Sequence, residues 1–93
     1  MSKEIHVKKR NGRLEKLDID KINKCANWAC HEIENVSSSE VVLDAHVQFY
    51  DKIPTAEIDK ALIMSARQKI EKEPNYAYVA SRLLLFSLNI NIS

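Results

Sequence analysis

The sequence predicts a mainly α-helical fold, a four-helix bundle covered by a β-hairpin or small three-stranded sheet. Three observations predict it. The 93 residues include one Gly and two Pro, where average usage of about 7% Gly and 5% Pro would place several of each. Sandwiches and barrels use Gly at their turns, so a chain this poor in it is helix-rich. Apolar residues recur at three- and four-residue spacing through four separate stretches. The first stretch alternates instead, and it centres on Asn11-Gly12, a dipeptide suited to a tight hairpin turn.

Each element follows in order. Ile5-His6-Val7-Lys8 and Arg13-Leu14-Glu15-Lys16-Leu17 read as hairpin arms over about residues 5–17, joined by a type I′ turn at Asn11-Gly12. The first helix is expected over about 20–33, capped by Asp18 or Asp20, with Ile19, Ile22, Ala26, Ala29 and Ile33 on one face. Ser37-x-x-Glu40 reads as a capping box opening a second helix, about 39–50, with Val42, Ala45, His46 and Phe49 buried. Pro54 ends that stretch, and Ile53-Pro54 is a candidate edge strand beside the hairpin. Thr55 is the expected cap of a third helix, about 56–71, with Ile58, Leu62, Ala66 and Ile70 inward. Pro74 sits in the first turn of a fourth, about 74–89. This last helix is apolar nearly all round, from Tyr76 through Val79, Leu83 and Phe86 to Leu88, and is expected to be the most buried. Residues 89–93 are uncharged and lack a cap, which predicts a chain stopping before its natural neighbour begins.

Composition narrows the function classes. A 45% apolar and 29% charged chain of this length is one globular domain and not a collagen-like, low-complexity or disordered segment. One Gly cannot write either GxxxxGK[ST] or GxGxxG, so Gly-rich phosphate loops are excluded. There is no 18-residue apolar run, and Met1-Ser2-Lys3-Glu4-Ile5-His6 turns charged at once, unlike a signal peptide. A cytoplasmic protein with no membrane partner is expected. Cys25 and Cys30 would lie about 140° apart on a helix, so both are expected as free thiols.

Enzyme signatures are weak. Cys25, Cys30, His31 and His46 include no Cys-x-x-Cys or His-x-x-x-His, so no metal site built of protein side chains is expected. Ser37-Ser38-Ser39 lacks a Gly elbow, and Asp18 with Asp20 look like helix-start residues. No catalytic residue is assigned, and the chain is not expected to be an enzyme by itself.

Charge is the informative feature. Residues 1–24 carry a net +4 and the rest −3, which points to an anionic partner. Alternation puts Lys9 on the Val7 face of the strand, with Lys8 and Arg10 on the other. One reading is an edge strand kept from aggregating by its lysines. The other lays the hairpin over the first helix's N-terminus, so that Lys9, Arg10 and Lys21 converge on a polyphosphate. Thr55 would then add a hydroxyl and a second helix start, and Glu15 and Asp18 would accept hydrogen bonds from a base or ribose.

The order of motifs carries a resemblance. Val7-Lys8-Lys9-Arg10-Asn11-Gly12-Arg13, then Leu17-Asp18 and Lys21-Ile22, resembles the opening of the ATP-cone domain. Asp51-Lys52-Ile53-Pro54-Thr55-x-Glu57-Ile58 resembles its D-G-x-x-T segment, and Pro74-x-Tyr76-x-Tyr78-Val79-Ala80-x-Arg82-Leu83 its last helix. Ala26-x-Trp28-Ala29 and Gln48-Phe49-Tyr50-Asp51 are similar to the cone at the N-terminus of the large subunit of class I ribonucleotide reductase. The resemblance covers about residues 5–88. It implies an allosteric site where ATP activates and dATP inhibits a reductase, with Mg²⁺ on the triphosphate. It implies reductase large and small subunits as partners.

By position, the resemblance assigns Lys9, Arg10 and Lys21 to the phosphates. It assigns the segment Glu15, Lys16, Leu17, Asp18, Ile19, Asp20 and Lys21 to the base and sugar. Val7, Ile22 and Phe49 would line the adenine pocket, Thr55 would hydrogen-bond the nucleotide, and Asp59 would stand near it. Three departures accompany the match. Lys52 stands where the family has Gly, so that turn must differ or accept strain. No basic residue follows Leu88, where Asn89 and Ile90 stand. No catalytic barrel is present. Two rival readings remain at this point: a cone that docks on reductase subunits without nucleotide, and a basic nucleic-acid module. Reductase-gene repressors join a cone to a Cys-x-x-Cys zinc ribbon, and this chain has none.

Overall fold

Two short hydrogen-bonded pairings and four helices make up the computed structural model, which describes residues 5–92, with side chains through Leu85. Strand β1 (His6–Lys8) pairs antiparallel with β2 (Leu14–Lys16), Val7 opposite Glu15. Strand β3 (Ile53–Pro54) joins the other side of β1 in parallel, Val7 beside Ile53, giving the order β2-β1-β3. The helices are α1 (Ile19–Cys30), α2 (Ser38–His46), α3 (Thr55–Gln68) and α4 (Tyr76–Ile92). The predicted architecture is the observed one. The readings that fall on residues 1–4, on the side chains beyond Leu85 and on Ser93 lie outside the described residues.

The hairpin turn differs from the expected type I′. The Lys9 carbonyl accepts from the Gly12 N–H at 2.9 Å, and the Lys9 N–H donates to the Arg13 carbonyl at 2.8 Å. Within the turn Gly12 takes positive φ, at 86°, and Asn11 does not. This is a three-residue loop closed by a left-handed Gly, a second solution to the twist of paired strands. Asn11 turns its side chain back instead, its Oδ1 accepting from the Arg13 N–H at 3.0 Å.

Local chemistry starts the helices. Asp18 caps α1, its Oδ1 accepting from the Asp20 and Lys21 N–H groups at 3.1 and 3.2 Å. The helix stops at Cys30, short of the predicted 33, because His31 is extended and Glu32 takes a φ of 62°. Its last carbonyls are met from α4: the Arg82 guanidinium donates to the His31 carbonyl at 2.5 Å and the Trp28 carbonyl at 3.5 Å. Ser37 caps α2, its Oγ accepting from the Glu40 N–H at 3.3 Å. The Ser37 N–H, which a full capping box would hand to Glu40, donates to the Tyr76 hydroxyl at 2.9 Å. Thr55 does not cap α3 as predicted; it is the first helical residue, and Pro54 stands at the cap position with no side-chain bond.

The core lies between the four helices and the inner face of the sheet. Ala26, Ala29, Ala45 and Ala66 are fully buried, and their small side chains let the helix backbones come close. Ser65 is equally buried and donates from Oγ to the Val41 carbonyl at 2.8 Å, tying α3 to α2. Of the predicted α2 stripe, Val42, Ala45 and Phe49 are buried, whereas His46 is exposed and Val41 is buried as well. The helix ends at His46, and that ring meets buried Phe49 edge-on at 5.4 Å between centroids. Helix α4 is not the all-buried element its sequence suggests. Tyr76, Val79, Ala80 and Leu83 face inward, while Tyr78, Leu84 and Leu85 are exposed. With α1 and α3 on one side of it, one face is covered and the other is not.

Between α2 and β3 the chain makes a strained link. Lys52 has a φ of 68°, a left-handed conformation that costs a non-Gly residue roughly 1–2 kcal/mol. Of the two outcomes left open for Lys in a Gly position, the turn accepts the strain. It is held by Asp51, whose Oδ1 accepts from the His6 N–H at 2.9 Å and lies 3.0 Å from His6 Nδ1. The Lys52 N–H also donates to the His6 carbonyl at 2.8 Å. The His6 backbone hydrogen bond, first, and its ring, second, hold the Asp51 carboxyl below its ordinary range. A lowered folded pKa means this contribution is present above the ordinary carboxylate pKa and is lost as pH falls through the lower folded value. Thermal melts between pH 6 and about 3 should therefore show a steeper loss of Tm on acidification in the wild type than in Asp51→Asn.

Candidate functional site

A cavity of about 750 Å³ opens where the hairpin crosses α1 and α3. Four pieces of chain wall it. Strand β1 and the turn supply Val7, Lys9, Arg10 and Asn11; strand β2 and the link to α1 supply Glu15, Lys16, Leu17 and Asp18. Helix α1 supplies Lys21, Ile22 and Cys25, and helix α3 supplies Thr55, Ile58, Asp59 and Leu62. Helical spacing explains both helix sets. Asp18, Lys21, Ile22 and Cys25 fall at i, i+3, i+4 and i+7, as do Thr55, Ile58, Asp59 and Leu62, so each set shares one face.

A smaller cavity of about 340 Å³ adjoins it, lined by Lys8, Pro54 and Ala56 together with Lys9, Arg10, Thr55 and Asp59. The last four form the boundary between the two spaces. They mark the cation-rich end, near the start of α3. The opposite wall carries Val7, Ile22, Ile58 and Leu62, all buried.

The charges are arranged unevenly. Lys9, Arg10, Lys16 and Lys21 bring four cations to the larger cavity, against Glu15, Asp18 and Asp59. Lys9 Nζ lies 3.8 Å from Glu15 Oε1 across the hairpin, a half-exposed pair of little energetic weight. Asp18 is engaged with the N–H groups that open α1. Burial, and secondarily the charge of Asp59, push the Cys25 thiol up to about 11, so it is neutral at physiological pH. Burial also raises Cys30, partly offset by Arg82. Both cysteines are free.

Among the sequence-assigned residues, the cavity brings together Val7, Lys9, Arg10, Glu15, Lys16, Leu17, Asp18, Lys21, Ile22, Thr55 and Asp59. Ile19, Asp20 and Phe49 do not line it. Ile19 and Asp20 occupy the first turn of α1 on the sides turned away from the cavity face, and both are exposed. Phe49 follows the end of α2 and is packed into the core. Strand alternation had separated Arg10 from Lys9, but the strand ends at Lys8, and both line the same cavity from the turn. Sequence reasoning missed Asn11, Cys25, Ile58 and Leu62. Counting one helical turn on from Lys21, and one and two turns on from Thr55, would have found the last three.

The arrangement suits an anion attached to a flat apolar group. The cations and the N-terminus of α1 serve the charged end, and the apolar wall serves the other. Among the described residues no three His, Cys, Asp or Glu side chains are grouped to hold a metal ion. No helix of the described residues is long and apolar enough to cross a membrane.

Known proteins are similar to this chain. It is 50% identical over 90 residues to a ribonucleoside-diphosphate reductase subunit alpha of Helicobacter pylori, covering 96% of this chain and 11% of that protein. It is 44% identical over 89 residues to the corresponding subunit of Buchnera aphidicola subsp. Schizaphis graminum, covering 95% and 12%. The ribonucleoside-diphosphate reductase 1 subunit alpha of Escherichia coli is 40% identical over 89 residues, with the same coverage of 95% and 12%. The chain thus spans about one-eighth of the length of these relatives. The model of the ATP cone domain matches residues 5–89, taking in all three strands and every residue that lines the cavity. The chain belongs to the ATP-cone domain family.

Proposed function

We propose that the cavity binds an adenine nucleoside triphosphate and that the domain regulates a ribonucleotide reductase through it, ATP favouring activity and dATP inhibition. The observation that carries this reading is the convergence of cations from the hairpin and α1 on one cavity whose far wall is apolar. Lys9, Arg10 and Lys21 hold the phosphates by charge-assisted hydrogen bonds. Val7, Ile22, Ile58 and Leu62 flank the base, and Glu15 with the Lys16–Leu17 backbone accepts or donates at its edge and at the sugar. Thr55 adds a hydroxyl at the phosphate end. Mg²⁺ accompanies the triphosphate and neutralises part of its charge.

The regulatory step is a population shift. Nucleotide that favours one arrangement of the cone against its partners biases the assembly by its differential affinity, and by no more than that. The partners in this reading are the reductase large and small subunits, in the cytoplasm. Catalysis belongs to the remainder of a reductase, and the cone contributes no reacting group.

Thermal-shift titration with ATP, dATP, GTP and ADP, each with Mg²⁺, tests the reading. At about 100 times its dissociation constant a ligand stabilises by about 2.7 kcal/mol, on the order of 10 °C or more for a domain this small. The expected result is a large shift with ATP and dATP and a weak one with GTP. Absence of a shift with every nucleotide would overturn it and leave a cone that docks on reductase subunits without ligand.

A further inference from the structure

Strand β3 is too short to hold its own register. It is two residues long, it meets β1 only through Val7 beside Ile53 and Lys8 beside Pro54, and Pro54 brings no N–H to the pairing. The register is held just before the strand. Residues 50–53 form a β-turn closed by the Ile53 N–H on the Tyr50 carbonyl at 3.2 Å. Lys52, in its third position, takes a φ of 68°, where Gly or Asn ordinarily stands. This turn grips His6 from both sides: Asp51 Oδ1 accepts from the His6 N–H at 2.9 Å, and the Lys52 N–H donates to the His6 carbonyl at 2.8 Å. From that grip two chains run out in parallel. Lys9 stands three residues after His6 and Thr55 three after Lys52, and both line both cavities. At the rise of an extended chain the grip lies roughly 10 Å behind them, and neither Asp51 nor Lys52 lines either cavity.

We infer that Asp51 is a positioning residue for the nucleotide site: by fixing the strained turn on His6 it holds Thr55 in register with Lys9, and so sets the affinity of the cavity without touching its ligand. The inference rests on the nucleotide reading above. A Lys at positive φ is drawn back to the right-handed or extended regions. That return would carry β3 and the first turn of α3 off their register against β1. The hydrogen bond from His6 to Asp51 opposes it. A turn that relaxes part of the time leaves the cavity competent only in the remainder, and the apparent affinity falls by that fraction. Gly takes positive φ without a Cβ cost, so relieving the strain at position 52 makes Asp51 dispensable. A residue that merely adds stability has no such dependence on its neighbour.

Calorimetric titration of the 93-residue chain and its variants with ATP and Mg²⁺ tests this, at a temperature where melting curves without ligand show each one folded. Asp51→Ala should bind ATP about tenfold more weakly than the wild type. Asp51→Asn, whose amide oxygen still accepts from the His6 N–H, should stay within about threefold of it. Lys52→Gly should bind as the wild type does or more tightly, and adding Asp51→Ala to Lys52→Gly should cost no more than about threefold. Wild-type affinity in Asp51→Ala overturns the inference, and so does the same loss with and without Lys52→Gly. A loss in Asp51→Asn as large as that in Asp51→Ala overturns it too. An Asp51→Ala chain that does not fold makes Asp51 a support of the fold alone, which also overturns it. Absence of ATP binding by the wild type overturns the nucleotide reading, and this inference with it.

Discussion

Lys9→Ala combined with Lys21→Ala should lower the affinity for adenine triphosphates about 100-fold or more and leave the unliganded domain folded. The two lysines approach the cavity from different elements, the hairpin turn and the first turn of α1. Each charge-assisted hydrogen bond to a phosphate contributes about 1.5–3 kcal/mol, so losing both brings the ligand shift in a thermal melt close to zero. Their loss costs the free protein little. The Lys9–Glu15 pair is 3.8 Å long and half-exposed, a kind that contributes at most about 1 kcal/mol. Lys21 sits at the positive end of the helix dipole, where a cation is unfavourable without an anion to meet it. Calorimetry and melting of the free domain separate the two effects. A double variant that still binds ATP within about threefold of the wild type would place the phosphates elsewhere.

Ile53→Ala should be the most damaging single change to stability. Ile53 is 1% exposed, sits in the short strand β3 and faces Val7 across the parallel pairing. Truncating such a side chain costs about 2–5 kcal/mol, because the methylenes are lost and the void collapses only in part. That corresponds to a fall in Tm of roughly 10–20 °C for a domain of this size. The site should suffer as well, since Thr55 begins α3 two residues further on and lines both cavities. Leu84→Ala removes an equally apolar side chain that is 51% exposed and should change stability by no more than about 0.5 kcal/mol. Denaturant melts of the two variants check the contrast. A similar loss at both positions would mean that the sheet does not anchor the bundle.

The features legible in the sequence are those decided within a few residues. Asn11-Gly12 marked the hairpin, since a left-handed residue is needed there and Gly supplies it without a Cβ cost. Asp18 and Ser37 marked helix starts because each side chain reaches an N–H two or three residues on. The i, i+3, i+4 recurrence of Ile22, Ala26 and Ala29 marked the buried face of α1. The cation set of Lys9, Arg10 and Lys21 was legible for the same reason: a hairpin followed closely by a helix start leaves few arrangements open.

What stayed illegible depends on how finished elements meet. Ile58 and Leu62 read equally well as core, and only the hairpin lying above α3 leaves them facing an opening. Phe49 is buried as expected, but it follows the end of α2 at His46 and does not line the cavity. The α1 carbonyls are satisfied by Arg82, 51 residues beyond His31, a partnership no local pattern contains. Helix α4 is apolar on every side, so its composition cannot choose a face; α1 and α3 chose it by covering one side and leaving Leu84 and Leu85 exposed. By itself, then, the sequence determined the elements, the caps of α1 and α2 and the cations that line the cavity, because short-range hydrogen bonds and periodicity decide those. The tertiary structure alone decided that Ile58 and Leu62 complete the cavity's apolar wall and that Phe49 does not, because a cavity is the space left between elements whose packing is long-range.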